Sequence, residues 1–113
     1  MATIRNLTRD TELAREARMA DGFLSRLKGL LFRWKLEPGE ALILTPCNSV
    51  HMFGMLFSLD VVFCDATKRV VRVVRRLRPL LATLHARDAI YALEMEPGAI
   101  DASRTEPGDQ LEF

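Results

Sequence analysis

Cys47, His51 and Met55 stand four residues apart in the stretch PCNSVHMFGMLFSLDVVFCD, which runs from Pro46 to Asp65. Even spacings put all three on one face of a strand, and spacings of four also put them on one face of a helix. Thiolate, imidazole and thioether together form a soft ligand set, so C-x3-H-x3-M reads as a candidate copper(I) site. On an extended strand, however, neighbours in that series lie about 13 Å apart, and one metal could join them only across a bend. Pro46 and Gly54 are the residues that could supply it.

A second arrangement uses Cys47 as a nucleophile, activated by His51 and oriented by Asp60. A third omits the thiol and pairs Asp60 with Glu94 as general acid and base, since both sit beside apolar residues where desolvation can raise a carboxyl pKa. Each has a structural counterpart. Asp60 at the start of an apolar run can accept backbone amides, and Glu94 can pair with an arginine such as Arg72.

A chain of 113 residues, 49% of them apolar, is large enough for one core without disulfides or a structural metal. A single domain over 1–113 is the expectation. The formal net charge of +1 argues against a surface tuned as a whole to nucleic acid or an anionic membrane. Locally the charge is uneven. Residues 66–87 carry Lys68, Arg69, Arg72, Arg75, Arg76, Arg78 and Arg87 and no acid before Asp88, whereas 94–113 carry six acids against Arg104. The two regions are expected to face each other in part, and without an RNA-binding signature nucleic acid is not an expected partner.

Cys47 and Cys64 form no CxxC pair, no apolar run reaches the length of a membrane-spanning helix, and the first twenty residues lack an apolar leader core. A cytoplasmic protein with reduced thiols and no membrane contact is expected.

Three Glu-Pro-Gly tripeptides, at 37–39, 96–98 and 106–108, carry the chemistry of tight turns with a positive φ at glycine. Phe23, Leu24, Leu27, Leu30 and Leu31 recur at helical spacing behind Asp21, predicting a short amphipathic helix over 21–31. Short apolar runs at 41–44, 61–63 and 90–95 predict strands. Residues 69–77 fit either a helical stripe or a strand buried on both faces, and the density of valine favours the strand. One helical turn over 99–104 and a closing strand over 110–113 complete an α+β chain that is mainly antiparallel β.

The order of SRLKGLLFR at 25–33, PCNSVHMFGM at 46–55 running into LDVVFCD at 59–65, VVRVV at 70–74, ALEMEPG at 92–98 and the final PGDQLEF resembles the domain of unknown function family numbered 192, a group of small bacterial and archaeal proteins. The resemblance implies a mostly antiparallel sheet curled into a partial barrel, with one or two short helices against it, and no established reaction. This chain departs from the family pattern at Met52, Ser58 and 67–69.

The primary functional expectation is a noncatalytic module that binds a small molecule or a protein. Its site is the segment from His51 to Asp60, with Cys47, His51, Met55, Asp60 and Glu94 as ligand-binding residues and with no cofactor or resident metal. The alternatives are a small hydrolytic or acid-base enzyme using His51, Asp60 and Glu94, and copper binding by Cys47, His51 and Met55. The residues themselves do not decide between a binder and an enzyme.

Overall fold

The computed structural model describes residues 2–20, 36–46, 49–51, 58–77 and 83–113. Among them are nine strands and one short helix: β1 (Ala2–Asn6), β2 (Thr11–Ala20), β3 (Glu40–Leu44), β4 (Ser49–His51), β5 (Leu59–Cys64), β6 (Val70–Leu77), β7 (Thr83–His85), β8 (Tyr91–Met95), α1 (Ala99–Ser103) and β9 (Leu111–Glu112). Seven strands form one sheet in the order β6-β5-β8-β3-β2-β1-β9, and β4 pairs with β7 in a separate two-stranded ribbon. The expected α+β chain with a curled, mainly antiparallel sheet is what the structure shows. The strands predicted around 41–44, 61–63, 69–77, 90–95 and 110–113 are all present, as is the helical turn after Gly98.

One pairing is parallel. Residues 16–20 of β2 run alongside 40–44 of β3, and parallel neighbours require a crossover between them. The helix predicted over 21–31 falls in that connection, outside the described residues.

The sheet curls until its two edges meet. Arg69, just before β6, bridges Gln110, just before β9. The Val70 N–H donates to the Asp109 carbonyl (2.8 Å), the Gly108 N–H to the Val70 carbonyl (2.8 Å) and the Leu111 N–H to the Lys68 carbonyl (3.0 Å). The last two Glu-Pro-Gly turns serve this closure and the helix. Gly98 (φ 102°) is the N-cap of α1 and Gly108 (φ 96°) lies at the seam, in left-handed conformations that strain a side-chain-bearing residue.

Side chains alternate across each strand, so the curled sheet has two apolar faces. Inside, Ile4, Leu13, Ile43, Val62, Leu93, Met95, Leu111 and Ile100 of α1 pack together. Outside, Leu42, Leu44, Leu59, Val61, Phe63 and Ala92 form a second cluster with Leu36, Ala86 and Ala89. Strand β5 is buried at all six positions because both of its faces are covered. That double burial explains its unbroken LDVVFC run, which lacks the polar alternation of a strand with one wet face.

Candidate functional site

Asp60 and Glu94 lie on adjacent strands but not on the same face. Across β5 and β8, Asp60 stands opposite Met95, whereas Glu94 stands opposite Val61. Directly opposed residues point to the same side of a sheet, so Asp60 joins Met95 in the interior and Glu94 joins Val61 and Leu42 on the outer face. The alternative that pairs Asp60 with Glu94 as general acid and base is therefore not formed. A register offset of one residue separates the two carboxyls by the thickness of the sheet.

Asp60 is 1% exposed, and three main-chain donors occupy its carboxylate. Oδ1 accepts the Arg76 N–H at 2.9 Å, while Oδ2 accepts those of Gly98 (3.1 Å) and Ile100 (3.0 Å). Arg76 has a positive φ of 52° and lies in a β-bulge, where β6 carries two residues, Arg75 and Arg76, against Asp60 alone. Gly98 and Ile100 open α1, whose own N-cap offers no side-chain acceptor. Asp60 thus stitches a bulge to a helix start, the structural counterpart foreseen for it, and its carboxylate meets the positive end of α1.

Glu94 is the opposite case. It is also 1% exposed, yet its Oε2 has no hydrogen-bond partner. Its cross-strand neighbours are Leu42 on β3 and Val61 on β5, with Val74 of β6 beyond Val61. Burial alone pushes the carboxyl up to about 8, so it is largely protonated at neutral pH. The anticipated pairing with Arg72 is not made at Oε2, for Arg72 sits in the neighbouring row, opposite Phe63.

His51 is the last residue of β4 and lies opposite Thr83 in the β4–β7 ribbon. The ribbon is rooted on the outer face. Leu44 precedes β4 by a short connection, Ala86 follows β7 directly, and both belong to the cluster around Val61. Cys47, Met52 and Met55 lie outside the described residues. Among the described residues no three His, Cys, Asp or Glu side chains are grouped to hold a metal ion, and no helix is long and apolar enough to cross a membrane. Cys64 is free and fully buried in the interior, where burial and then the Asp65 charge push its thiol up to about 12, far from a reactive thiolate.

The basic and acidic stretches do meet in part. Arg75 pairs with Asp101 at 2.6 Å, and Arg69 donates to the Gly108 carbonyl at 2.6 Å.

One polar cluster, buried at Asn6, Ser103, Thr105 and Asp109, is not among the sequence expectations. The Asn6 amide donates to Asp109 Oδ2 (2.9 Å) and Thr105 Oγ1 (3.1 Å), Thr105 shares a 2.7 Å hydrogen bond with Ser103, and Arg9 binds Asp109 (3.1 Å) and Glu106. Burial works against the Asp109 carboxylate, but the Asn6 and Arg9 hydrogen bonds prevail and hold its pKa below the usual range. Every member has a partner, so the cluster clasps the chain's first strand to its last turn. The signal in the sequence was the Asp of the closing PGDQLEF motif.

The DUF192 family profile, described as Uncharacterized ACR, matches residues 5–113. The chain belongs to the DUF192 family. Among curated relatives, a UPF0127 protein of Pyrococcus furiosus is 37% identical, with the match covering 96% of this chain and 95% of that one. Another, from Pyrococcus abyssi, is 34% identical over 100% of this chain and 98% of its own. A crystal structure of a protein of unknown function from Novosphingobium aromaticivorans superposes with a TM-score of 0.82 at 24% identity, covering 98% of this chain and 82% of that one. A Sinorhizobium meliloti structure gives 0.79 at 19% identity, covering 97% and 89%. At those identities the two structures establish the fold alone, a DUF192 fold spanning archaeal sequence relatives and bacterial structural ones.

Proposed function

We propose that this DUF192 protein is a noncatalytic binding module for a small molecule or a protein partner, and that its site lies on the outer face of the curled sheet. Glu94 is its polar anchor, and the β4–β7 ribbon that carries His51 is included in the proposed site. The observation that carries the reading is the buried Glu94 carboxyl whose Oε2 has no partner. An orphaned buried polar atom costs about 1–3 kcal/mol, and a position that needed only packing would be filled by leucine or valine, as its cross-strand neighbours are. The residues flanking that ribbon, Leu44 and Ala86, belong to the apolar cluster around Val61, which supports including it.

A ligand-observed NMR screen of a small-fragment library tests this proposal. Fragments should bind wild type and shift the amides of β8 and β5 around Glu94 and Val61, and the same fragments should weaken against Glu94→Leu. Hits that bind both proteins equally, or that shift only residues of the inner face, would contradict it.

The acid-base reading keeps one supporting observation, since a carboxyl titrating near 8 suits a general acid at neutral pH. Of its three residues, Asp60 faces the other side of the sheet and is fully engaged by main-chain donors. The binding module therefore accounts for more of the geometry.

A further inference from the structure

Glu94 constrains what can occupy its site. The backbone of β8 is engaged on both sides, by β3 through Leu42 and by β5 through Val61, so the sheet has no free amide or carbonyl to offer the carboxyl. The side chains beside it in its row are Leu42 and Val61, followed by Val74. Among the described residues, the charges on the strands of this face are Glu16 and Arg18 on β2, Glu40 on β3 and Arg72 on β6, and Arg87 and Asp88 stand exposed in the turn between Ala86 and Ala89 of the same cluster. Glu16 and Arg18 are exposed, and none of these charges is a direct cross-strand neighbour of Glu94.

A charged head group brought into that row would lose its hydration among Leu42, Val61 and Val74 and would ionise or repel Glu94, which is the unfavourable side of a buried ion pair. A neutral carboxyl, by contrast, displays one O–H donor beside one carbonyl acceptor. Oε2 is the atom without a partner, and one neutral donor or acceptor group complements it.

We infer that the ligand recognised at Glu94 is a neutral molecule that carries a hydrogen-bonding group, such as a carboxamide, on an apolar body. This rests on the proposal that Glu94 anchors a binding site. The burial that keeps the carboxyl protonated supports it independently of any particular ligand.

Three probes of matched size separate the possibilities: benzamide, benzylammonium and benzoate, each titrated into the full chain and followed by 1H–15N NMR. Measurements on both sides of the Glu94 value of about 8, at roughly pH 6.5 and 9.5, set the protonation state. Benzamide should bind most tightly at the lower pH and about tenfold or more weakly at the higher, where the O–H donor is lost. Glu94→Gln, whose side-chain amide keeps a donor and an acceptor, should retain benzamide binding at both values, and Glu94→Leu should lose it about tenfold or more.

Preferential binding of benzylammonium over benzamide at the lower pH, where the probe is fully charged, would overturn the inference while leaving a binding site at Glu94. Tighter binding of benzoate than of benzamide would do the same. Failure of all three probes to shift residues around Glu94 in wild type would overturn the inference and the binding-site reading together.

Discussion

Replacing Asp60 with alanine is expected to lower stability by at least about 3 kcal/mol, with a fall in Tm of roughly 10 °C or more. The substitution strips acceptors from three main-chain N–H groups at once, those of Arg76, Gly98 and Ile100, and leaves them beside a fully buried position. Two elements loosen together because the carboxylate joins the β6 bulge to the start of α1. Asp60→Asn should fall between wild type and alanine, since its one oxygen can serve the bulge or the helix but its NH2 then faces a donor. Urea unfolding of the three proteins measures this. A loss for Asp60→Ala no larger than that of a typical surface substitution, about 0.5 kcal/mol, would show that Asp60 does not hold these elements.

The second large effect is a pH dependence that belongs to Glu94. The unfolded chain releases this proton near the free value of 4.5, whereas the folded protein keeps it until about 8. Between those values unfolding releases a proton, so stability falls as pH rises and levels off above about 8. At about 1.4 kcal/mol per pH unit the full effect is on the order of 5 kcal/mol. Glu94→Gln should remove this slope, and Glu94→Leu should be more stable than wild type above the titration, because it replaces an unpaired buried charge with a side chain like that of its neighbour Leu42. Denaturation curves for wild type and Glu94→Gln from about pH 5 to 9 decide the matter. Parallel pH profiles would mean that Glu94 titrates in the fold as it does in the open chain.

Much of the sheet was legible from local chemistry. The Val70–Leu77 strand alternates Val70 and Val73 inward with Val71 and Val74 outward, and both faces have apolar clusters to receive them. That is why a run ambiguous between helix and strand settles as a strand. The Glu-Pro-Gly turns were readable because proline and glycine fix the backbone whatever surrounds them.

The N-terminal hairpin was not legible. TELAREARMA in β2 is rich in alanine, arginine and glutamate, which favour helices, and only pairing with β1 on one side and β3 on the other makes it a strand. Tertiary hydrogen bonding outweighed propensity there.

At the candidate site the important residues were visible, but their relation was not. Asp60 and Glu94 stand out as acids inside apolar strands, yet whether they share a face depends on the register between strands more than thirty positions apart, which no local pattern encodes. The Asn6–Asp109 contact joins residues 103 positions apart and is beyond local reading for the same reason. Of the residues proposed for ligand binding, the fold gives Asp60 three main-chain partners and leaves Oε2 of Glu94 without one.

The state of the Glu94 carboxyl is therefore the point on which the proposed site stands. Its side-chain 13C carboxyl chemical shift, followed through a pH titration of the full chain and assigned with Glu94→Gln, reads that state directly. A midpoint near 8 is the predicted result. A midpoint near the ordinary glutamate value of 4.5 would show a solvated, ionised side chain and would contradict both the buried anchor and the neutral ligand inferred for it.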